Sequence, residues 1–132
     1  MPPTSQPTGR PRTVSAAFFC WVAAGSVIAA MGLLMLTYPV SVYRLVGGLL
    51  VVIGLVHGFL AGRARKGDPR FSRAALALAM ASVVFLGLIV LFLPVPIGVL
   101  GLTVVAVLAL IAGSVLNQRP ASAAWYDPDG AA

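Results

Sequence analysis

"AGRARKGDPRFSRAA" (residues 61–75) holds five of the nine basic residues in a chain of 132, and one of its three acids. In a water-soluble domain such a run is a solvated face or a phosphate-binding patch. Its neighbours give it a different meaning here. An almost uncharged apolar block ends at its left edge, about residues 45–62, and another begins at its right, about 74–93. Two more blocks lie further out, at about 14–37 and 97–117. Each approaches or exceeds the roughly 20 apolar residues that a helix needs to cross a bilayer. Sixty per cent of the residues are hydrophobic and only 9% are charged, against about 25% charged in a soluble domain. So few charges cannot coat a water-exposed surface. The sequence therefore reads as all-α: an integral membrane four-helix bundle with spans at about 14–37, 45–62, 74–93 and 97–117.

The first block, Val14–Thr37, is too long for the 7–15-residue core of a signal peptide. No small-residue cleavage pattern stands in "MLTYPVSVY" (35–43), and the sequence before Cys20 is not a lipoprotein box. It is expected to remain as the first span. A single Cys20 leaves no internal disulfide and no cysteine zinc site. Pro39 in "YPVSVYR" (38–44) and the prolines of "PVP" (94–96) stop helices at two tight connections. Tyr38 and Tyr43 suit the headgroup layer.

Four spans place both tails and the middle loop on one side. Arg10 and Arg12 lie in the first tail, Arg63, Arg65, Lys66, Arg70 and Arg73 in the loop, and Arg119 in the last tail. Only Arg44 falls on the other side. The positive-inside rule makes the rich side cytoplasmic, so both termini are expected inside a multi-pass protein of the inner (plasma) membrane. The basic stretch is mainly a topology signal, and secondarily a contact for anionic membrane lipids. The same confinement of charge to loops argues against nucleic acid, which requires a basic face with readers beside it. Residues 1–13, "MPPTSQPTGRPRT", carry four prolines and no apolar period, and are expected to form a disordered cytoplasmic tail. The membrane domain then covers 14–117 with a cytoplasmic loop at 63–73. Residues 118–132 form a second cytoplasmic tail.

Within the spans, Gly47, Gly54, Gly58 and Gly62 fall near one face of the second helix. In lipid, where apolar burial gives helices no reason to associate, such a face permits the close approach that does. It packs inside the bundle or docks a partner subunit. His57 stands on the same helix, inside the membrane, where an ionisable residue is a functional candidate by default. A proton relay or metal site needs a second ligand or acid. The chain has no glutamate, and Asp68, Asp127 and Asp129 lie outside the spans. A neutral His57 hydrogen-bonded to a neighbouring helix is the reading that this composition favours. No protease, hydrolase, nucleotide-binding or metal motif is present, and the span serines lack a histidine–carboxylate pair. The chain reads as non-enzymatic, without catalytic residues, metal or cofactor. In "AWYDPDG" (124–130), Trp125 and Tyr126 are candidates for a tail anchor, at the membrane interface or on a partner.

"RTVSAAFFCWVAAGSVIAAMGLLML" (12–36) after a proline-rich tail, with "GRARKGDPRFSRAALAL" (62–78) between the hairpins, resembles actinobacterial small four-span membrane proteins. In layout it is similar to the lipid-uptake coordinator B type of accessory subunit that accompanies the mycobacterial MCE lipid importer. The resemblance implies an accessory or assembly subunit of a larger membrane complex, packed against the permease subunits of a lipid transporter. It carries over no catalytic residue. The alternative is a small homo-oligomeric transporter or lipid-binding membrane protein.

Overall fold

The structure, a computed structural model, describes residues 9–127. Within them the chain forms helices α1 (Arg12–Leu36), α2 (Ser41–Ala64), α3 (Pro69–Phe92), α4 (Ile97–Asn117) and the short α5 (Pro120–Tyr126), and no strand. The first four are long and apolar enough to cross a membrane. They run up and down as a bundle. α1 packs most extensively, against α2 and then α4, while α3 closes the square with looser contacts to α2 and α4.

α1, α2 and α3 begin ahead of their apolar blocks and α2 also runs past its end, by up to a turn or more, whereas α4 matches its block; a helix does not have to end where its hydrophobicity does. Its end is set by capping. The expected loop at 63–73 contracts for this reason to a turn of four residues, 65–68: Arg63 lies in α2, and Arg70 and Arg73 lie in α3. "GDP" (67–69) sets the turn. Gly67 adopts φ 94°, a conformation that L side chains rarely take. The Asp68 carboxylate accepts the Arg70 backbone N–H at 3.0 Å as N-cap. Pro69 then opens α3 at a position where its missing N–H costs nothing. The first tail is likewise shorter than expected, since Arg12 and Thr13 belong to α1. The remainder of that expectation, residues 1–8, lies outside the described residues, as do residues 128–132. The last tail is helical over Pro120–Tyr126.

Two ends with different chemistry result. At one, the Tyr38 and Tyr43 rings stack at 5.4 Å, and the Tyr43 hydroxyl donates to the Pro94 carbonyl at 2.9 Å. That bond ties the two proline turns together. The other end gathers the start of α1, the 65–68 turn, the end of α4 and α5, and with them all the described basic residues except Arg44.

The interior changes along the axis. Towards the tyrosine end it is mainly apolar, with Met31, Met35, Leu86, Ile89 and Val99 buried and the Thr103 hydroxyl satisfied by the Val99 carbonyl at 2.8 Å. Towards the basic end it holds His57, Ser72, Ser114 and Asn117, all buried. The exterior is the reverse of a soluble protein's: Leu91, Phe92 and Ile97 are 74%, 75% and 87% exposed. Exposed apolar surface on this scale marks a membrane-embedded face.

Candidate functional site

The glycines of α2 divide into two groups. Gly47 and Gly54 are buried against α1, which meets them with glycines of its own. A Cβ on Gly54 would lie 2.5 Å from the Gly25 carbonyl oxygen, and one on Gly47 would lie 2.6 Å from that of Gly32. Gly25 and Gly32 stand seven residues apart, as do Gly47 and Gly54. In an antiparallel pair the two spacings therefore match end to end. The backbones of α1 and α2 touch at both crossings, the geometry small residues permit in lipid. Gly58 and Gly62 belong to another surface, since a Cβ on either meets nothing within 4 Å. A shallow groove of about 200 Å³ opens beside Gly58, floored by Gly25, Ala29 and Gly54.

His57 points into the bundle and is fully buried. The expected hydrogen bond to a neighbouring helix is not made: neither Nδ1 nor Nε2 has a partner among the described residues. The ring instead packs edge-on to Trp21 of α1, with centroids 6.2 Å apart and planes at 80°. Trp21 in turn packs against α4, where a Cβ on Gly113 would fall 2.6 Å from Trp21 Cδ1 and 2.7 Å from Nε1. The indole N–H and the adjoining Ser114 hydroxyl also lack partners. Aromatic packing, rather than hydrogen bonding, holds this layer. Among the described residues no cluster of three or more metal-ligating side chains exists.

This arrangement carries a test. A buried polar group without a partner costs free energy that an apolar residue of similar size does not. We expect His57→Leu to leave the unfolding free energy in detergent unchanged or raised by about 1 kcal/mol. A loss of more than about 1 kcal/mol would mean that His57 has a partner in the folded protein.

Nearer the basic end, the Ser72 hydroxyl and the Asn117 carboxamide pair between α3 and α4, Asn117 Nδ2 donating to Ser72 Oγ at 3.0 Å. α5 lies over this pair. Its Ser122 hydroxyl donates within reach of both Thr13 Oγ1 (2.8 Å) and the Leu116 carbonyl (2.9 Å). Tyr126 comes within hydrogen-bonding reach of Ser72. Burial raises the Tyr126 phenol pKa, against the opposing effects of Ser72 and the nearby Arg10 charge, so it is neutral at pH 7. Trp125 packs on the turn, its indole 3.5 Å from where a Gly67 Cβ would stand. Both aromatic residues thus rest on this chain's own surface.

The basic residues are placed unequally. Lys66, Arg70 and Arg73 are exposed. The Arg63 guanidinium sits over the Phe71 ring at 5.1 Å. That of Arg65 lies over Phe18 at 4.5 Å and Phe19 at 6.0 Å.

On the outer surface, α3 and α4 enclose a groove of about 350 Å³ between Val83, Gly87 and Val90 on one wall and Leu100, Val104 and Val107 on the other. Gly87 is exposed, and a Cβ there would meet nothing. No protein-family model, curated protein or solved structure matches this chain.

The sequence points to the α2 glycines and His57, and to Gly25 and Gly113 only as members of loose small-residue pairs with Ala29 and Ala109; Gly32 and the α3–α4 groove go unread. Gly32 had a signal, the repeated seven-residue spacing on consecutive helices. Gly113 has only its four-residue spacing from Ala109, which marks a packing face without naming the indole on another helix that it meets.

Proposed function

We propose that the chain is a non-catalytic accessory subunit of a larger inner-membrane complex, with both termini in the cytoplasm. The observation that carries this reading is the α3–α4 groove. Inside the bundle, α1 and α2 have already used their closest-packing glycines on each other. α3 is the least engaged of the four long helices, and the groove between it and α4 is apolar and notched at Gly87. In lipid, van der Waals packing into such a notch is what draws a foreign helix to a bundle. The layout that resembles the accessory subunits of MCE-type lipid importers makes permease subunits of a lipid transporter the proposed partner. The second reading, a homo-oligomeric transporter or lipid-binding protein, draws on the same groove, whose walls also suit an acyl chain.

Purification from native membranes in mild detergent separates the two readings. Larger permease subunits should co-purify with the wild type, and Gly87→Leu, which fills the notch, should lose them by about tenfold at unchanged abundance, a change of roughly 1.4 kcal/mol. Recovery of this chain alone, in one or several copies, would reject the accessory reading in favour of the second. In a Cys20→Ser background, Lys66→Cys, at an exposed position of the turn, should react only from the cytoplasmic side, as the seven basic residues left at that end require. Labelling from outside would invert the topology.

A further inference from the structure

The basic end carries a cationic group whose posture the topology signal does not explain. Positive-inside orientation requires charge on one side of the membrane and makes no demand on side-chain geometry. Lys66, Arg70, Arg73 and Arg119 behave accordingly and extend from the surface. Arg65 does not. It caps α2 and folds back so that its guanidinium lies over Phe18 and Phe19 of α1. Nε is enclosed and without a hydrogen-bond acceptor. The Asp68 side chain, three residues on, is engaged in capping α3.

A guanidinium held flat on aromatic rings has already lost much of its rotamer freedom. It keeps its charge and the terminal N–H edge with which arginine grips phosphate oxygens in bidentate fashion. Further donors lie at the same end of the bundle. The Trp125 indole packs on Gly67, two residues beyond Arg65 in the same turn, with its N–H enclosed and unpaired. Arg10 lies beside Tyr126, the next residue after Trp125, and its Nε is also enclosed without a partner. The contacts of Trp125 with Gly67 and of Arg10 with Tyr126 link the start of α1, the α2–α3 turn and α5 at the margin of the apolar spans. That is the level at which a bilayer presents phosphate.

We propose that this end of the bundle is a binding site for a phosphate-bearing anion, with the ring-stacked Arg65 as its principal ligand and Arg10 and Trp125 beside it. The inference is independent of the partner complex. It differs from a general attraction of basic loops to anionic lipid in assigning unequal roles to arginines of equal charge.

The test uses the full chain in a non-ionic detergent, titrated in separate arms with phosphatidylglycerol, phosphatidylcholine and inorganic phosphate. Native mass spectrometry reads the bound molecules, and the unfolding temperature reads the affinity. One anionic lipid per chain should stay bound under activation that strips phosphatidylcholine. Arg65→Gln should weaken its binding by about tenfold, the loss expected for a charged hydrogen-bonding group. Arg65→Lys should lie in between, and Arg73→Gln should change it less than twofold. Trp125→Phe, which keeps the ring and removes the donor, should also weaken it. Competition by millimolar inorganic phosphate would identify free phosphate as the natural source, and its absence would identify the lipid headgroup; both support the site. Equal weakening by Arg65→Gln and Arg73→Gln would show a diffuse field with no site and overturn the proposal. So would failure of the wild type to retain any anion, a result that needs no variant to fold.

Discussion

Replacing Gly54 with alanine should leave little folded protein in the membrane, whereas the same change at Gly58, one turn along the helix, should be almost silent. A single methyl group separates the variants from the wild type, and its surroundings decide the outcome. At Gly54 the new Cβ would lie 2.5 Å from the Gly25 carbonyl oxygen and 2.8 Å from the Ala29 nitrogen. Both obstacles are backbone, so neither can swing aside as a long side chain would. α1 and α2 must separate over their whole crossing, and Gly32 faces Gly47 in the same seam. Overpacking typically costs about 1–3 kcal/mol, and this site should reach or exceed the top of that range. Association in lipid rests on packing, and no compensating hydrophobic drive reassembles the pair. Gly58 has open space where its Cβ would go. The check is the denaturant dependence of helicity in mixed micelles for the wild type, Gly54→Ala, Gly32→Ala and Gly58→Ala. Equal stability of Gly54→Ala and Gly58→Ala would mean that the seam is not closed in the folded protein.

The contrast between these glycines shows where reading the sequence succeeds and where it stops. The four spans, the two proline turns and the common end of the basic residues follow from quantities that add along the chain: hydropathy, length and the sign of charge. They require no knowledge of which helices touch. The glycine face of α2 is legible in the same sense, since Gly47, Gly54, Gly58 and Gly62 recur at helical spacing. Which of them is buried depends on the rotation of α2 about its axis relative to α1, and that is a property of the pair. The helix ends were misjudged for a related reason. Hydropathy marks the end of the oily region, whereas Gly67, Asp68 and Pro69 set the end of the helix. His57 is the clearest case. Its lack of an acid partner is visible in the composition. That absence favours a neutral ring hydrogen-bonded to a neighbouring helix, and the structure instead covers the ring with Trp21. An edge-on aromatic contact between residues 36 positions apart leaves no pattern in a single sequence.

That contact belongs to a chain of three helices, and its far end gives the second large effect. Trp21 is 1% exposed, the bulkiest of the fully buried side chains. It bridges His57 on α2 and Gly113 on α4. Only glycine fits at position 113, because a Cβ would lie 2.6 Å from the indole. Gly113→Ala should therefore destabilise the bundle by about 1–3 kcal/mol. Here the obstacle is a side chain, so the cost should disappear when the side chain is reduced. Trp21→Leu alone should cost at least as much, because it empties the layer at its centre; large-to-small changes in a core cost roughly 2–5 kcal/mol. In the double variant, the alanine methyl enters space that the indole has left. Adding Gly113→Ala to Trp21→Leu should then be neutral or favourable, giving a coupling of about 1–3 kcal/mol between the two positions. The stability of α4 in the bundle would thus depend on a residue of α1, in keeping with the extensive packing of α1 on both its neighbours. Additive losses in the cycle would show that Trp21 and Gly113 do not touch, and the α1–α4 interface would have to be rotated. Coupling accompanied by a further loss on His57→Ala, but not on His57→Phe, would place the aromatic layer, rather than the imidazole nitrogens, at the centre of the fold.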